Sequence, residues 1–281
     1  MLAFLEAIVL GIVEGITEWL PISSTGHMIL FYELFGIDPS APFWSMFLVV
    51  IQFGAILAVI VLYFHRLWPF HSPDPKKSGI YRIIREDKLE MWLKIIVSCL
   101  PAAVIGLPLD DWLDEHLFNY VTVALMLILY GVLFIVVENR NRGRRPAVRR
   151  IADITWGQAF AIGLFQCLAL IPGTSRSGAT ILGGILLGLS RKTASEYTFF
   201  LAIPVMFGAS LLKLLKFGSF TGGEFFILLV GMAVAFGVSI LAIRFLMKYI
   251  RNHNFKLFGY YRIVLGIIVL AVFAFRSLGA A

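Results

Sequence analysis

Glu14 and Glu18 stand four residues apart, and the chain carries no Lys or Arg before Arg66. On a helix that spacing puts both carboxylates on one face. Ile12, Val13, Ile16 and Trp19 surround them, so the pair needs a cation, a proton or a water-filled cavity to be tolerated. Two carboxylates merely solvated at an interface fit less well, because a polar run, Ser23-Ser24-Thr25-Gly26-His27, follows directly. That run can bring three hydroxyls and an imidazole to the carboxylates, which is the material of proton transfer and nucleophilic attack. The other histidines, His65, His71, His116 and His253, fall in or beside expected loops and read as surface.

A second polar run, Pro172-Gly173-Thr174-Ser175-Arg176-Ser177-Gly178-Ala179-Thr180, has the chemistry of an oxyanion cradle. Gly173 lets backbone approach a ligand. Hydroxyls and amides at a helix start donate hydrogen bonds, and Arg176 offers a planar fork of donors suited to phosphate. Arg176 can equally form a salt bridge with Glu14 or Glu18, which is compatible with an anion site. The run lacks the Lys of a nucleotide-binding P-loop after Gly178, and Cys167 does not stand in a Cys-x5-Arg phosphatase arrangement. What remains is an anion site inside a hydrophobic chain, suited to hydrolysis of a phosphate on a lipid.

The elements that position these residues follow from composition. Of 281 residues, 59% are hydrophobic and 15% charged, and the mean hydropathy is +0.88, which excludes a soluble globule. The excess of 24 Lys and Arg over 17 Asp and Glu reads as a record of membrane orientation rather than of nucleic-acid binding. Six spans are expected: Phe43 to Tyr63, Trp92 to Leu109, Val121 to Val137, Tyr197 to Leu215, Phe225 to Met247 and Phe258 to Phe275. Residues 1 to 37 and 156 to 190 are also hydrophobic, but each is interrupted by its polar run and reads as a re-entrant hairpin of two half-helices.

A shift of 152 residues superposes Gly11 on Gly163, Glu14 on Gln166, Ser23 on Ser175 and Gly26 on Gly178. The expected architecture is therefore an all-α polytopic membrane protein with an inverted-topology repeat: residues 1–150 and 151–281, each a hairpin plus three transmembrane helices. Basic clusters between Arg66 and Lys94, between Arg140 and Arg150, and at Lys248, Arg251 and Lys256 mark cytoplasmic loops, with Asp110, Asp111, Asp114 and Glu115 on the other side. The first hairpin then enters from outside, the second from the cytoplasm, and the breaks meet near the midplane. The N-terminal stretch, with three Glu before residue 19 and no basic residue, fails the requirements of a signal peptide. Cys99 and Cys167 read as small hydrophobes.

The two motifs, Glu14-Gly-Ile-Thr-Glu18-Trp-Leu-Pro-Ile-Ser-Ser-Thr-Gly-His27 and Pro172-Gly-Thr-Ser-Arg-Ser-Gly-Ala-Thr180, together resemble those of the undecaprenyl-diphosphate phosphatase, or bacitracin-resistance protein, family. The resemblance extends over essentially the whole chain. It implies removal of the terminal phosphate of undecaprenyl diphosphate with a divalent cation, Mg2+ or Ca2+. It also implies recycling of the lipid carrier of cell-wall polymers, in the bacterial inner membrane, with a site open to the external face. Carried over by position, Glu14 and Glu18 would hold the metal or position water. Arg176 with Ser175 and Ser177 would hold the diphosphate, with Ser23, Thr25, Gly173, Thr174 and Thr180 as further substrate contacts. The attacking group is Ser24 with His27 as base, or His27 itself directly or through water; Ser24 with His27 is preferred. A homodimer is compatible with this reading.

Two rivals remain. Other membrane lipid phosphatases use a SRxxxxxHxxxD segment, but the position that needs His is Leu182. A transporter or flippase for polyprenyl phosphate would use the same inverted architecture; it would not require the cluster of hydroxyl, imidazole and carboxylate.

Overall fold

The computed structural model describes residues 2–71, 81 and 83–279, without the side chains of residues 110, 111, 114 and 276–279. Much of the expected basic segment between Arg66 and Lys94, namely residues 72–80 and 82, therefore lies outside the described residues. Six helices are long and apolar enough to cross a membrane: α3 (Pro42–Leu62), α5 (Glu86–Leu117, apolar through Leu109), α6 (Tyr120–Arg140), α9 (Arg191–Phe217), α10 (Gly222–Tyr249) and α11 (Lys256–Gly279). The protein is a multi-pass, all-helical membrane protein, with no strand among the described residues beyond two isolated bridges. A one-turn helix, α4 (Phe64–Leu67), follows α3.

Four shorter helices fall where the polar breaks interrupt the hydrophobic pattern: α1 (Leu2–Thr17) with α2 (Ser24–Phe35), and α7 (Trp156–Cys167) with α8 (Arg176–Leu186). At 16 residues α1 is the longest of the four, and it reaches only about 24 Å, short of a hydrocarbon core of about 30 Å. In each pair the two helices pack on each other.

The expected spans all form, and the differences lie at their ends. The apolar pattern of α5 stops at Leu109, yet the helix continues to Leu117 through Pro101 and Pro108. The sequence reading placed residues 110 to 115 in a loop; they lie on that helix. Gly163 of α7 packs closely on this stretch: a Cβ there would stand 2.5 Å from the Ser98 carbonyl and 3.0 Å from the Pro101 ring. α9 likewise runs through Pro204.

Close backbone approach sets the helix partners. α1 packs along α10, α7 along α5, α6 along α11, and α3 against α9 and α10. Gly131 of α6 and Gly259 of α11 face each other, each 2.7 Å from the other's carbonyl oxygen if given a Cβ. Such small-residue contacts replace the hydrophobic drive that lipid removes. Two bidentate ion pairs fix α9: Arg66 to Glu196 at 2.7 and 2.9 Å, and Arg191 to the buried Glu138 of α6. Glu138 also accepts the Phe255 N–H at 3.0 Å, just ahead of α11. These anchors matter because α9 and α11 both supply groups to the site.

Candidate functional site

The site assembles at the two breaks. After α1 the chain turns at Trp19–Ile22, and Ser23 adopts φ +73°; after α7 and a short 3-10 turn, Ser175 adopts φ +71°. No other described non-glycine residue has positive φ, and the left-handed region costs a side chain about 1–2 kcal/mol. Backbone in that region is a mark of a constrained functional turn. Each serine then caps the next helix, Ser23 Oγ accepting from Gly26 N at 3.4 Å and Ser175 Oγ from Gly178 N at 3.2 Å. Ser23 is fully buried, so its side chain is spent on the turn, whereas Ser175 stays half-buried.

The carboxylates from α1 and the following turn are buried, Glu14 being 2% exposed and Glu18 8%, which removes the solvated-interface reading. Arg176, the first residue of α8, donates to Glu18 Oε1 from Nη2 at 3.0 Å and from Nε at 3.3 Å. Its Nη1 donates to the Thr198 carbonyl of α9 at 3.0 Å. The other Glu18 oxygen, Oε2, accepts from Ser24 Oγ at 3.3 Å. One carboxylate thus joins the guanidinium of the second break to the hydroxyl of the first. Ser24, Thr25, His27, Ser175 and Arg176 remain half-buried, open to an incoming ligand.

The rest of the second run splits into two groups. Ser175 and Ser177 hydroxyls lie 3.1 Å apart, and Ser177 also reaches the Leu20 carbonyl at 3.4 Å. Thr180 is turned away, donating to the Arg176 carbonyl at 2.8 Å and accepting from Thr198 at 2.9 Å; it supports Arg176 from behind. The Thr174 hydroxyl is buried without a hydrogen-bond partner. Gly173 has φ +90°, and a Cβ there would meet the Val123 carbonyl oxygen at 2.5 Å, so this position has room for glycine alone.

His27 is held differently from the preferred expectation. Its Nδ1 lies 2.7 Å from the Ser23 carbonyl and its Nε2 2.7 Å from the Tyr261 hydroxyl. Both ring nitrogens are engaged away from Ser24, whose own hydroxyl donates to Glu18. The expected Ser24–His27 hydrogen bond is therefore replaced by a Ser24–Glu18 one.

Arg262 of α11 was missed by the sequence reading. It is fully buried. Its Nη1 donates to the Pro21 carbonyl at 3.2 Å, and Nη2 donates to the Gly173 and Thr174 carbonyls, each at 2.8 Å; the Tyr130 ring lies 5.5 Å away. One side chain ties the two breaks together. The criterion that singled out Arg176, a lone cation in an apolar run, applies equally to Arg262 within Phe258 to Phe275.

For a divalent cation the donor set is lean. Among the described residues no group of three or more His, Cys, Asp or Glu gathers. Glu14 Oε1 is nevertheless buried with no hydrogen-bond partner, one helical turn from Glu18. Magnesium is commonly held by one or two carboxylates plus substrate phosphate oxygens, and an orphaned carboxylate oxygen beside a second carboxylate fits that pattern.

Comparison with known proteins agrees with this geometry. The profile of a family described as "Bacitracin resistance protein BacA" matches residues 7–268. The undecaprenyl-diphosphatase of Desulfitobacterium hafniense is 60% identical over 275 residues, 97% of each chain. That of Acetivibrio thermocellus is 57% identical, over 97% of this chain and 98% of the relative. That of Streptococcus mutans serotype c is 59% identical, over 95% and 94%.

Proposed function

The chain belongs to the bacitracin resistance protein family, and from that premise we propose that it hydrolyses undecaprenyl diphosphate to undecaprenyl phosphate and inorganic phosphate. The observation that carries the reading is the chain of contacts from Arg176 through Glu18 to Ser24. It puts a phosphate-binding fork, a carboxylate and a half-buried hydroxyl in one place. Transport of a lipid does not need a nucleophile held by a carboxylate, and the names of the relatives favour hydrolysis as well.

In this proposal Arg176, with Ser175 and Ser177, binds the terminal phosphate and stabilises charge on its equatorial oxygens, the contribution that usually dominates phosphoryl transfer. Ser24 Oγ attacks phosphorus as its proton passes to Glu18 Oε2, and the bond from phosphorus to the bridging oxygen breaks, releasing undecaprenyl phosphate. Water then attacks the phosphoserine. The phosphorus–Oγ bond breaks, Glu18 returns its proton to Ser24, and His27 Nε2 takes the proton of the water. Glu14 and Glu18 are the residues that would hold Mg2+ or Ca2+, which when bound offsets the charge of the diphosphate.

The finer placement is part of the same proposal. Basic segments on one side support a site that opens to the external face of the bacterial cytoplasmic membrane. Matching helix partners, α1 with α10 and α7 with α5, and the matching φ at Ser23 and Ser175 support an inverted repeat of residues 1–150 and 151–281, with α1–α2 and α7–α8 as opposed re-entrant hairpins.

The test is phosphate release from undecaprenyl diphosphate by pure protein in detergent, with and without EDTA. Activity is expected to vanish with chelator and return with added Mg2+ or Ca2+, and to be lost in Ser24→Ala. Full activity in EDTA would remove the metal, and full activity in Ser24→Ala would remove the seryl nucleophile. Lipid movement across vesicles by a hydrolytically dead variant would favour the transporter reading instead.

A further inference from the structure

We infer that Tyr261 is a positioning residue for His27, fixing the plane of the imidazole and the aim of its Nε2 lone pair; the inference rests on the proposal that His27 takes part in hydrolysis. The Ser23 carbonyl, 2.7 Å from Nδ1, can only accept a hydrogen bond, so Nδ1 carries the ring proton. Nε2 is then a lone pair, and the Tyr261 hydroxyl 2.7 Å away donates to it. The two rings lie 12° from parallel with centroids 5.6 Å apart, so the phenol fixes the imidazole plane as well as its hydrogen-bond pattern. Ser23 is fixed in its turn by its positive φ and its cap on Gly26.

Tyr261 itself is placed by its neighbour. Arg262 is pinned by carbonyls from both breaks, and successive residues on a helix point about 100° apart, so burying Arg262 leaves Tyr261 at the rim, 45% exposed. The hydroxyl there can donate to Nε2 and, once Nε2 carries a proton, accept from it. The ring stays aimed through both states until a substrate or water oxygen takes over the same nitrogen. Two consecutive residues of α11 thus hold the backbone of the breaks and the imidazole of the first one. A tyrosine in a membrane helix near an interface would ordinarily read as a lipid-facing belt residue; the bond to His27 sets it apart from Tyr260, which is 55% exposed.

The experiment compares Tyr261→Phe, Tyr261→Leu, His27→Ala and the control Tyr260→Phe by phosphate release, with nitrogen-15 NMR of histidine-labelled protein in liposomes. Tyr261→Phe is expected to lower kcat about tenfold, the value of one lost hydrogen bond, with KM changed less than twofold. Tyr261→Leu should fall further as the stacking is lost. In wild type the His27 signals should be those of the Nδ1–H tautomer; in Tyr261→Phe Nδ1 should keep its proton while the Nε2 signal shifts toward that of a lone pair without a donor and broadens as the ring turns more freely. In the His27→Ala background Tyr261→Phe should cost nothing more. Unchanged kcat and an unchanged Nε2 signal in Tyr261→Phe, with His27→Ala strongly impaired, would overturn the inference alone. Full activity in His27→Ala would overturn the role of His27 itself.

Discussion

The two breaks use one backbone device to present opposite charges. Both turn through a serine at φ near +70° that caps the following helix on the amide of a glycine three residues on. The first break carries Glu18, Ser24 and His27, while the second carries Arg176 with two further hydroxyls. Neither is a site alone. The first holds buried carboxylates that repel an anion beside a half-buried hydroxyl, and the second holds a guanidinium suited to an anion but no carboxylate. The contrast shows that the shared turn is a mounting, and that the two breaks differ in the few side chains it carries.

Breaking the contrast at its centre should have the largest effect. Arg176→Ala is expected to reduce kcat/KM by about 10²–10³, the range for losing a preorganised donor to a developing oxyanion. The exchanged pair Glu18→Arg with Arg176→Glu would restore an ion pair but should remain inactive in the same phosphate-release assay, because Ser24 would then face a guanidinium.

Removing the link between the breaks comes next. Arg262→Met leaves the carbonyls of Pro21, Gly173 and Thr174 without their donor, and should cost about 3 kcal/mol in denaturant unfolding in mixed micelles. Glycines distinguish the two breaks on a smaller scale. Gly173→Ala drives a Cβ into the Val123 carbonyl at positive φ and should cost about 2 kcal/mol. Gly26→Ala meets only the end of the Leu127 side chain at 2.8 Å, which can turn, and should cost about 1 kcal/mol.

The smallest expected effect tests the sameness of the mountings. Ser23→Gly and Ser175→Gly lose a cap worth little against glycine but relieve the left-handed backbone. Both should stay within about 0.5 kcal/mol of wild type in the same unfolding measurement. A large loss at one position only would show that its serine does something its counterpart does not.

The parts of this site that could be read from sequence are those whose signal is a side chain in the wrong solvent. Glu14, Glu18 and Arg176 are charges in apolar runs, and the burial of the carboxylates and the pairing of Glu18 with Arg176 follow from that alone. The six spans follow from hydropathy, and the breaks from Pro, Ser, Thr and Gly clustered where a helix should continue. Other features left weaker traces. Arg262 satisfies main-chain carbonyls, which every residue possesses, so nothing in the sequence names its partners. The orientation of His27 depends on a phenol 234 residues away. α5 runs on past Pro101 with Gly163 of another helix packed against that stretch, a contact that local propensity does not contain.

The staple by Arg262 also has a consequence for the order of biosynthesis. Gly173 and Thr174 precede their cation by 89 and 88 residues, and Pro21 precedes it by 241. While the ribosome is still making the intervening helices, the breaks can meet through Arg176 and Glu18 but lack the cation that gathers their carbonyls. A nascent chain halted before α11 should therefore be inserted yet silent, and competence should arrive in one step when Arg262 enters the bilayer.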